Sequence, residues 1–104
     1  MTTDFGVAEK TRTKTNLRPP SMFKVIYLND SKTTVEFVVE SLMKFFNHAK
    51  STSENFAQEI HTTGAATVAI LPFELAEQKG TEVTIAARSE GYPLQIKIER
   101  DPTS

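Results

Sequence analysis

The chain has 104 residues, a formal net charge of −1 and no cysteine. This length corresponds to one ordinary domain. The lack of cysteine excludes disulfides, iron–sulfur clusters, thiolate zinc sites and cysteine nucleophiles. The balanced charge argues against a protein that binds nucleic acid through its phosphates.

Residues 1–20 are polar and end in two prolines. They show no helical or alternating apolar pattern, so burial would not repay the entropy lost on ordering them. We therefore predict a mobile N-terminal extension over 1–20, a domain over 21–100 and a frayed tail over 101–104. No stretch approaches the about 20 apolar residues that cross a bilayer, and residues 1–15 lack the apolar core of a secretory signal. We expect a cytoplasmic protein without a membrane partner.

The first predicted strand, residues 22–28, is rich in aromatic and β-branched side chains and ends at a polar turn. Thr33 and Glu36 then form a capping-box pattern, which predicts a helix that runs to about His48. Apolar residues recur at helical spacing along it, and the predicted buried face consists of Val35, Val38, Val39, Leu42, Phe45 and Phe46.

A second capping pattern, residues 51–54, predicts a shorter helix that Gly64 ends. Its apolar face consists of Phe56, Ala57 and Ile60. The uncharged run 65–71 predicts a buried strand.

Pro72 suits the first turn of a third helix, because its missing N–H costs nothing there. The apolar face of this helix contains Phe73, Ala76, Gly80, Val83 and Ala87. Residues 94–99 alternate strictly between apolar and polar side chains, which predicts a half-buried strand.

These elements follow the order β-α-α-β-α-β. One sheet and three amphipathic helices must each bury an apolar face, and two packed layers satisfy both needs. The predicted fold class is α+β, a two-layer sandwich in which a three-stranded antiparallel sheet packs against three helices.

The sequence carries no recognisable catalytic motif. It lacks the nucleophile-elbow, zinc-protease, P-loop and dinucleotide-binding patterns, and it contains only two histidines. No nucleophile stands beside a base. We therefore predict a binding module, not an enzyme, with no cofactor and no metal.

One set of polar residues could form a binding site. Asn29 and Asp30 follow the first strand and His61 ends the second helix, and ligand groups are often placed at such element ends. Ordinary structural roles remain open at this point: turn formation for Asn29 and Asp30, and capping of the helix carbonyls for His61.

The run RPPSMFKVIYLND at residues 18–30 closely resembles ClpS, the bacterial adaptor family that delivers substrates to the ClpAP protease. Further segments that resemble the family are 36–38, 44–46, 60–61, 73–79 and 92–94. The resemblance covers about residues 18–100. It implies recognition of N-degrons, in which a small pocket holds a first residue that is Leu, Phe, Tyr or Trp. It also implies a monomer that docks on the N-terminal domain of ClpA or a related Clp unfoldase.

The resemblance assigns roles to three groups of residues. Those that match the grip on the α-amino group are Asn29, Asp30 and His61. Those that match the hydrophobic pocket are Thr33, Val35, Ala57, Ile60 and Leu94. Those that match the unfoldase-docking surface are Glu74, Glu77 and Lys79, for which a plain solvated helix face is the alternative.

The chain departs from the family pattern at four positions. Ser31 replaces an acidic residue and Lys32 an aromatic one, while Val35 and Ala57 stand where the family commonly has methionine. The two smaller side chains predict a roomier pocket that favours Phe, Tyr or Trp over Leu. The four changes also leave open a paralogue with altered or lost N-degron binding that mainly docks on the unfoldase.

A different function remains possible on architecture alone. The C-terminal domain of the bacterial ribosomal stalk protein shares this order of elements and would make the chain a factor-docking module. That domain lacks the combination of Asn29, Asp30 and His61, which is the feature that separates the two interpretations.

Overall fold

The computed structural model describes residues 20–103. Its elements are β1 (Met22–Leu28), α1 (Val35–Phe46), α2 (Lys50–Thr63), β2 (Ala65–Pro72), α3 (Phe73–Ser89) and β3 (Gln95–Arg100). The predicted order β-α-α-β-α-β is confirmed. The predicted N-terminal extension, apart from Pro20, lies outside the described residues, as does Ser104.

The sheet has the strand order β2-β1-β3, and both neighbours of β1 run antiparallel to it. The central strand therefore places Tyr27 opposite Ala66 on one side and Ile96 on the other. At the far end of β1, the Asp101 N–H donates to the Met22 carbonyl (2.8 Å), which extends the pairing by one residue beyond β3.

The core lies between one face of the sheet and the three helices, so the predicted two-layer sandwich is confirmed. The buried apolar residues of the sheet layer are Val25, Tyr27, Ala66 and Val68, with Leu94 just before β3. Those of the helix layer are Val38, Leu42, Ala57, Ile60, Ala76, Val83 and Ala87. In α3, Gly80 lies against Ile96 and Ile98 of β3, where a Cβ would stand 3.4 Å from each side chain.

The start of α1 differs from the prediction by one residue. The N-cap is Thr34, whose hydroxyl accepts from the Phe37 N–H at 3.1 Å. Thr33 lies one residue before the cap, and its hydroxyl and N–H both donate to Asp30. At the other end, Asn47 adopts a left-handed conformation (φ 58°) and closes α1 before His48.

The predicted starts of the other two helices also shift. Helix α2 begins at Lys50 after Ala49, so Ser51, the cap residue of the predicted pattern, lies inside the helix. Ser53 is fully buried, and its hydroxyl donates to the Ala49 carbonyl at 2.9 Å. Pro72 ends β2 and is the N-cap of α3, not a residue of its first turn.

Three residues predicted to be buried are exposed. The exposed fraction is 56% for Val35 and close to half for Phe73 and Ile70. Each lies at or near the end of an element. The apolar spacing of the sequence continues there, but the opposing layer does not extend far enough to cover the side chain.

Among residues 20–103, no helix has both the length and the apolar composition needed to span a bilayer. The same residues contain no group of three or more His, Cys, Asp or Glu side chains placed to hold a metal ion.

A buried hydrogen bond joins the sheet to α1. The Tyr27 hydroxyl lies 2.7 Å from Ser41 Oγ, and Ser41 Oγ donates its hydrogen to the Val38 carbonyl at 2.8 Å. Since the serine hydroxyl has only one hydrogen, Tyr27 is the donor in the first bond. Burial raises the pKa of Tyr27 well above its ordinary value, so the phenol stays protonated and keeps the hydrogen that it donates.

We therefore expect Ser41→Ala to destabilise the fold more than Tyr27→Phe. Ser41→Ala leaves the Tyr27 O–H buried without an acceptor and lowers the free energy of unfolding by about 1–3 kcal/mol, whereas Tyr27→Phe removes the donor and lowers it by about 0.5–1.5 kcal/mol. Urea denaturation of both variants measures the difference. A larger loss for Tyr27→Phe would contradict the assignment of donor and acceptor.

Candidate functional site

A cleft of about 540 Å³ opens at one end of the molecule. It lies between the turn that follows β1, the first turn of α1 and the C-terminal half of α2. Its lining consists of Asn29, Asp30, Ser31, Thr33, Val35, Val38, Ala57, Ile60 and His61.

The two sides of the cleft are joined by a backbone hydrogen bond. The Asn29 N–H donates to the Gly64 carbonyl at 2.9 Å. Gly64 closes α2 in a left-handed conformation (φ 95°), and its own N–H donates to the Ile60 carbonyl. Glycine adopts this conformation without steric cost. The end of β1 is thereby fixed beside the last turn of α2, which carries His61.

The turn between β1 and α1 is held by the Asp30 carboxylate. Its Oδ1 accepts from the N–H groups of Lys32 and Thr33, and its Oδ2 accepts from the Thr33 hydroxyl, each at 2.7 Å. Burial alone would raise the pKa of Asp30. The hydrogen bonds from Thr33 and Lys32 and the positive charge of Arg88 together lower that pKa by more than burial raises it. The net effect is a pKa below the usual value, so the carboxylate stays ionised at neutral pH.

The floor of the cleft is apolar and the rim is polar. Val38, Ala57 and Ile60 form the floor and are each no more than 6% exposed. Val35, at 56% exposure, stands at the mouth. Asn29 and His61 are exposed at the polar rim. A ligand in this cleft would place an apolar group inward and polar groups at the rim.

The side chains of Asn29 and His61 are free to bind a ligand. Within residues 20–103, neither forms a hydrogen bond or ion pair. Within the same residues, the His61 ring forms no hydrogen bond to a helix carbonyl, and the Gly64 N–H closes the helix instead. His48, by contrast, has its Nε2 2.7 Å from the Val68 carbonyl oxygen and has a structural role.

The structure brings most of the sequence-predicted site residues together. The cleft contains all three proposed amine-binding residues and four of the five proposed pocket residues, namely Thr33, Val35, Ala57 and Ile60. Leu94 is not in its lining and is 1% exposed in the core. Sequence reasoning left out Ser31 and Val38, although Val38 lies one turn after Val35 and so could have been found from helical spacing.

The proposed docking residues lie elsewhere, on α3. Glu74 and Glu77 are exposed and line a shallow depression together with Glu82. Lys79 lies outside this lining, but its Nζ pairs with Glu82 at 3.7 Å. The three residues therefore belong to one charged region of α3.

Comparison with known proteins gives one consistent family. The family model described as "ATP-dependent Clp protease adaptor protein ClpS" matches residues 18–97. The chain is similar to the ClpS adapter of Rhodospirillum centenum, with 38% identity over 92% of this chain and 87% of that protein. It is also similar to the ClpS adapter of Gluconobacter oxydans, with 40% identity over 81% of this chain and 71% of that protein.

The chain is also similar to a solved structure. Agrobacterium tumefaciens ClpS2 bound to L-phenylalaninamide matches with a TM-score of 0.77 and 31% identity, over 80% of this chain and all of that one.

The Asp30 hydrogen bonds predict a pH-dependent contribution to stability. Asp30→Ala should lower the free energy of unfolding by about 1–2 kcal/mol at pH 7, because three bonds are lost at a half-buried site. Since folding depresses the pKa of Asp30, this contribution is present above the unfolded pKa of about 3.9 and is lost as pH falls through the folded value. The difference between wild type and variant should therefore shrink at pH 3.

Urea denaturation at the two pH values measures this effect. Asp30→Asn is the matched control, because its remaining oxygen can still accept from the two backbone N–H groups and should retain part of the stability. An equal loss for Asp30→Ala at both pH values would contradict the role given to the carboxylate.

Proposed function

The chain belongs to the ClpS family of ATP-dependent Clp protease adaptors, and from this premise we propose that it binds the N-terminal residue of N-degron substrates and delivers them to a Clp unfoldase. The observation that carries the proposal is the cleft, in which a buried apolar floor lies below rim acceptors that no side chain or backbone group of residues 20–103 occupies. The proposed activity is binding without catalysis.

The rim suits a free α-ammonium group. Such a group has three donors and needs oxygen or neutral imidazole acceptors around it. The Asn29 side-chain oxygen and one ring nitrogen of His61 are the proposed acceptors, and the ionised Asp30 provides a negative charge beside them. An internal residue offers a single N–H and no charge, so this rim would discriminate a chain terminus from a chain interior.

The floor suits the side chain of that first residue. Burying a Leu or Phe side chain contributes about 1.5–3 kcal/mol. The ligand of the similar Agrobacterium protein, L-phenylalaninamide, carries a free amine next to a benzyl group, which is the chemistry proposed for this cleft. Transfer of that property to this chain is supported by the similarity of the two structures, with a TM-score of 0.77 and 31% identity.

The size of the cleft favours aromatic first residues. Ala57 on the floor and Val35 at the mouth are both smaller than methionine. A Phe, Tyr or Trp side chain would fill the extra space, whereas a Leu side chain would leave part of it empty.

A second candidate function is an adaptor with reduced N-degron affinity that still docks on the unfoldase. It is favoured by the exposed Lys32 and Ser31 next to the rim.

The proposed partner surface is the charged region of α3. We propose that Glu74, Glu77 and Lys79 contact the N-terminal domain of ClpA or a related Clp unfoldase. The region lies on a different helix from the cleft, so a substrate and an unfoldase could be bound together by a monomer. The proposal places the protein in the bacterial cytoplasm.

Recognition of the amine can be tested with two peptides. A labelled peptide beginning with Phe should bind, and its N-acetylated twin should not. Asn29→Ala should weaken binding about ten- to 100-fold, because a hydrogen bond to a charged group is lost. Fluorescence anisotropy measures both effects, with Asn55→Ala, an exposed asparagine on α2 outside the cleft, as the matched control. Equal binding of the acetylated peptide would exclude N-degron recognition.

The second prediction concerns specificity. Wild type should bind a Phe peptide about three- to tenfold more tightly than a Leu peptide of otherwise identical sequence, because the larger ring fills more of the cleft. Ala57→Met and Val35→Met should each reduce this preference. Ala57 is buried, so Ala57→Met could destabilise the core. Val35 is exposed, so Val35→Met can be made without overpacking the core and still tests the preference. Tighter binding of Leu by the wild type would refute the proposed preference.

A further inference from the structure

A second groove runs along α1 and begins where the cleft ends. Its apolar floor is formed by Val35, Val39 and Met43, which are spaced four residues apart and so lie in a row on one helix face. Val35 and Met43 are 56% and 39% exposed. The volume of the groove is about 560 Å³, and Val35 lines both the groove and the cleft.

The rim of this groove is predominantly acidic. Glu36 and Glu40 of α1 and Glu54 of α2 line it, and the cation among the lining residues is Lys50. Within residues 20–103, none of the three glutamates forms an ion pair. The groove therefore combines a partly exposed apolar row with an excess of negative charge, three glutamates against the single lining cation Lys50.

We propose that this groove holds the substrate segment that directly follows the N-terminal residue, and that it selects apolar and basic side chains there. The inference rests on the function proposed above, because the cleft must first position the substrate terminus. It adds to that function a preference at the second to fifth substrate residues.

The dimensions of the groove fit such a segment. The helix advances about 12 Å from Val35 to Met43, since each of the eight steps between them rises about 1.5 Å. An extended chain covers that distance in about four residues. Since its side chains alternate between two sides, one set can pack on the apolar row while the other reaches the glutamates.

Charge and continuity favour a substrate over a second copy of this chain. Val35 lines both the cleft and the groove, so a peptide that leaves the cleft past Val35 enters the groove directly. A symmetric contact between two copies would bring two identical acidic rims together, and like charges at close range oppose such a contact.

The test uses four peptides that all begin with Phe-Ser. They continue as Lys-Leu-Lys, Glu-Leu-Glu, Ser-Gly-Ser, and an N-acetylated form of the first. Fluorescence anisotropy should show the Lys-Leu-Lys peptide binding about three- to tenfold more tightly than the Ser-Gly-Ser peptide, and the Glu-Leu-Glu peptide binding more weakly. The charge-dependent part of this difference should shrink as salt is raised.

Charge reversal in the groove provides the decisive variant. Glu40→Lys combined with Glu54→Lys should reverse the order of the basic and acidic peptides. Glu59→Lys, an exposed site on α2 outside both the groove and the cleft, changes the charge of one position without entering the groove and should keep the wild-type order.

The outcomes separate the two proposals. Equal affinity of the three free-amine peptides, with the acetylated form unbound, would overturn the groove while N-terminal recognition stands. Absence of amine-dependent binding to every peptide would overturn both proposals. Dimerisation that Met43→Asp abolishes, together with equal peptide affinities, would assign the groove to a second copy and overturn the inference.

Discussion

The hydrogen bond from the Asn29 amide to the Gly64 carbonyl determines where the cleft can form. Asn29 is the first residue after the central strand, and Gly64 is the residue that closes α2. The left-handed conformation of Gly64 turns its carbonyl away from the helix and into pairing distance of the strand end. Because His61 is only three residues earlier, it is held beside Asn29. The site therefore follows from the way one helix ends.

The two adjacent residues Asn29 and Asp30 perform different tasks. Asp30 uses both carboxylate oxygens to hold the turn and leaves its negative charge at the rim. Asn29 contributes its backbone to the fold, and its side chain has no hydrogen-bond partner within residues 20–103. This division explains how a short polar turn can be rigid and still present an acceptor. The Asp30 bonds hold Thr33 in the turn. Helix α1 begins after Thr34 and presents Val35 at the mouth of the cleft, where the proposed substrate groove begins.

Much of this arrangement could be predicted from the sequence. The apolar run of β1, the helical spacing of Val38 and Leu42, and Gly64 as a helix end are all local signals, and the structure agrees with each. Local signals failed where tertiary bonds compete for the same residue. Thr33 matches a helix cap in sequence, but it donates to Asp30 and Thr34 is the cap. Ser51 matches the second cap, but it lies inside α2, where Ser53 donates to the Ala49 carbonyl. The exposure of Val35 and the core position of Leu94 depend on which elements lie opposite them. The periodicity of a single element cannot predict those tertiary neighbours.

The central claim is that the cleft between the β1–α1 turn and α2 receives a free N-terminal residue. Titration of the isotopically labelled chain with L-phenylalaninamide, followed by amide chemical shifts in NMR spectra, tests this most directly. Shifts are expected at residues 29–35 and 57–64, with none at 74–82 on α3, and the N-acetylated compound should cause none. Shifts confined to α3, or identical shifts with the acetylated compound, would contradict the claim.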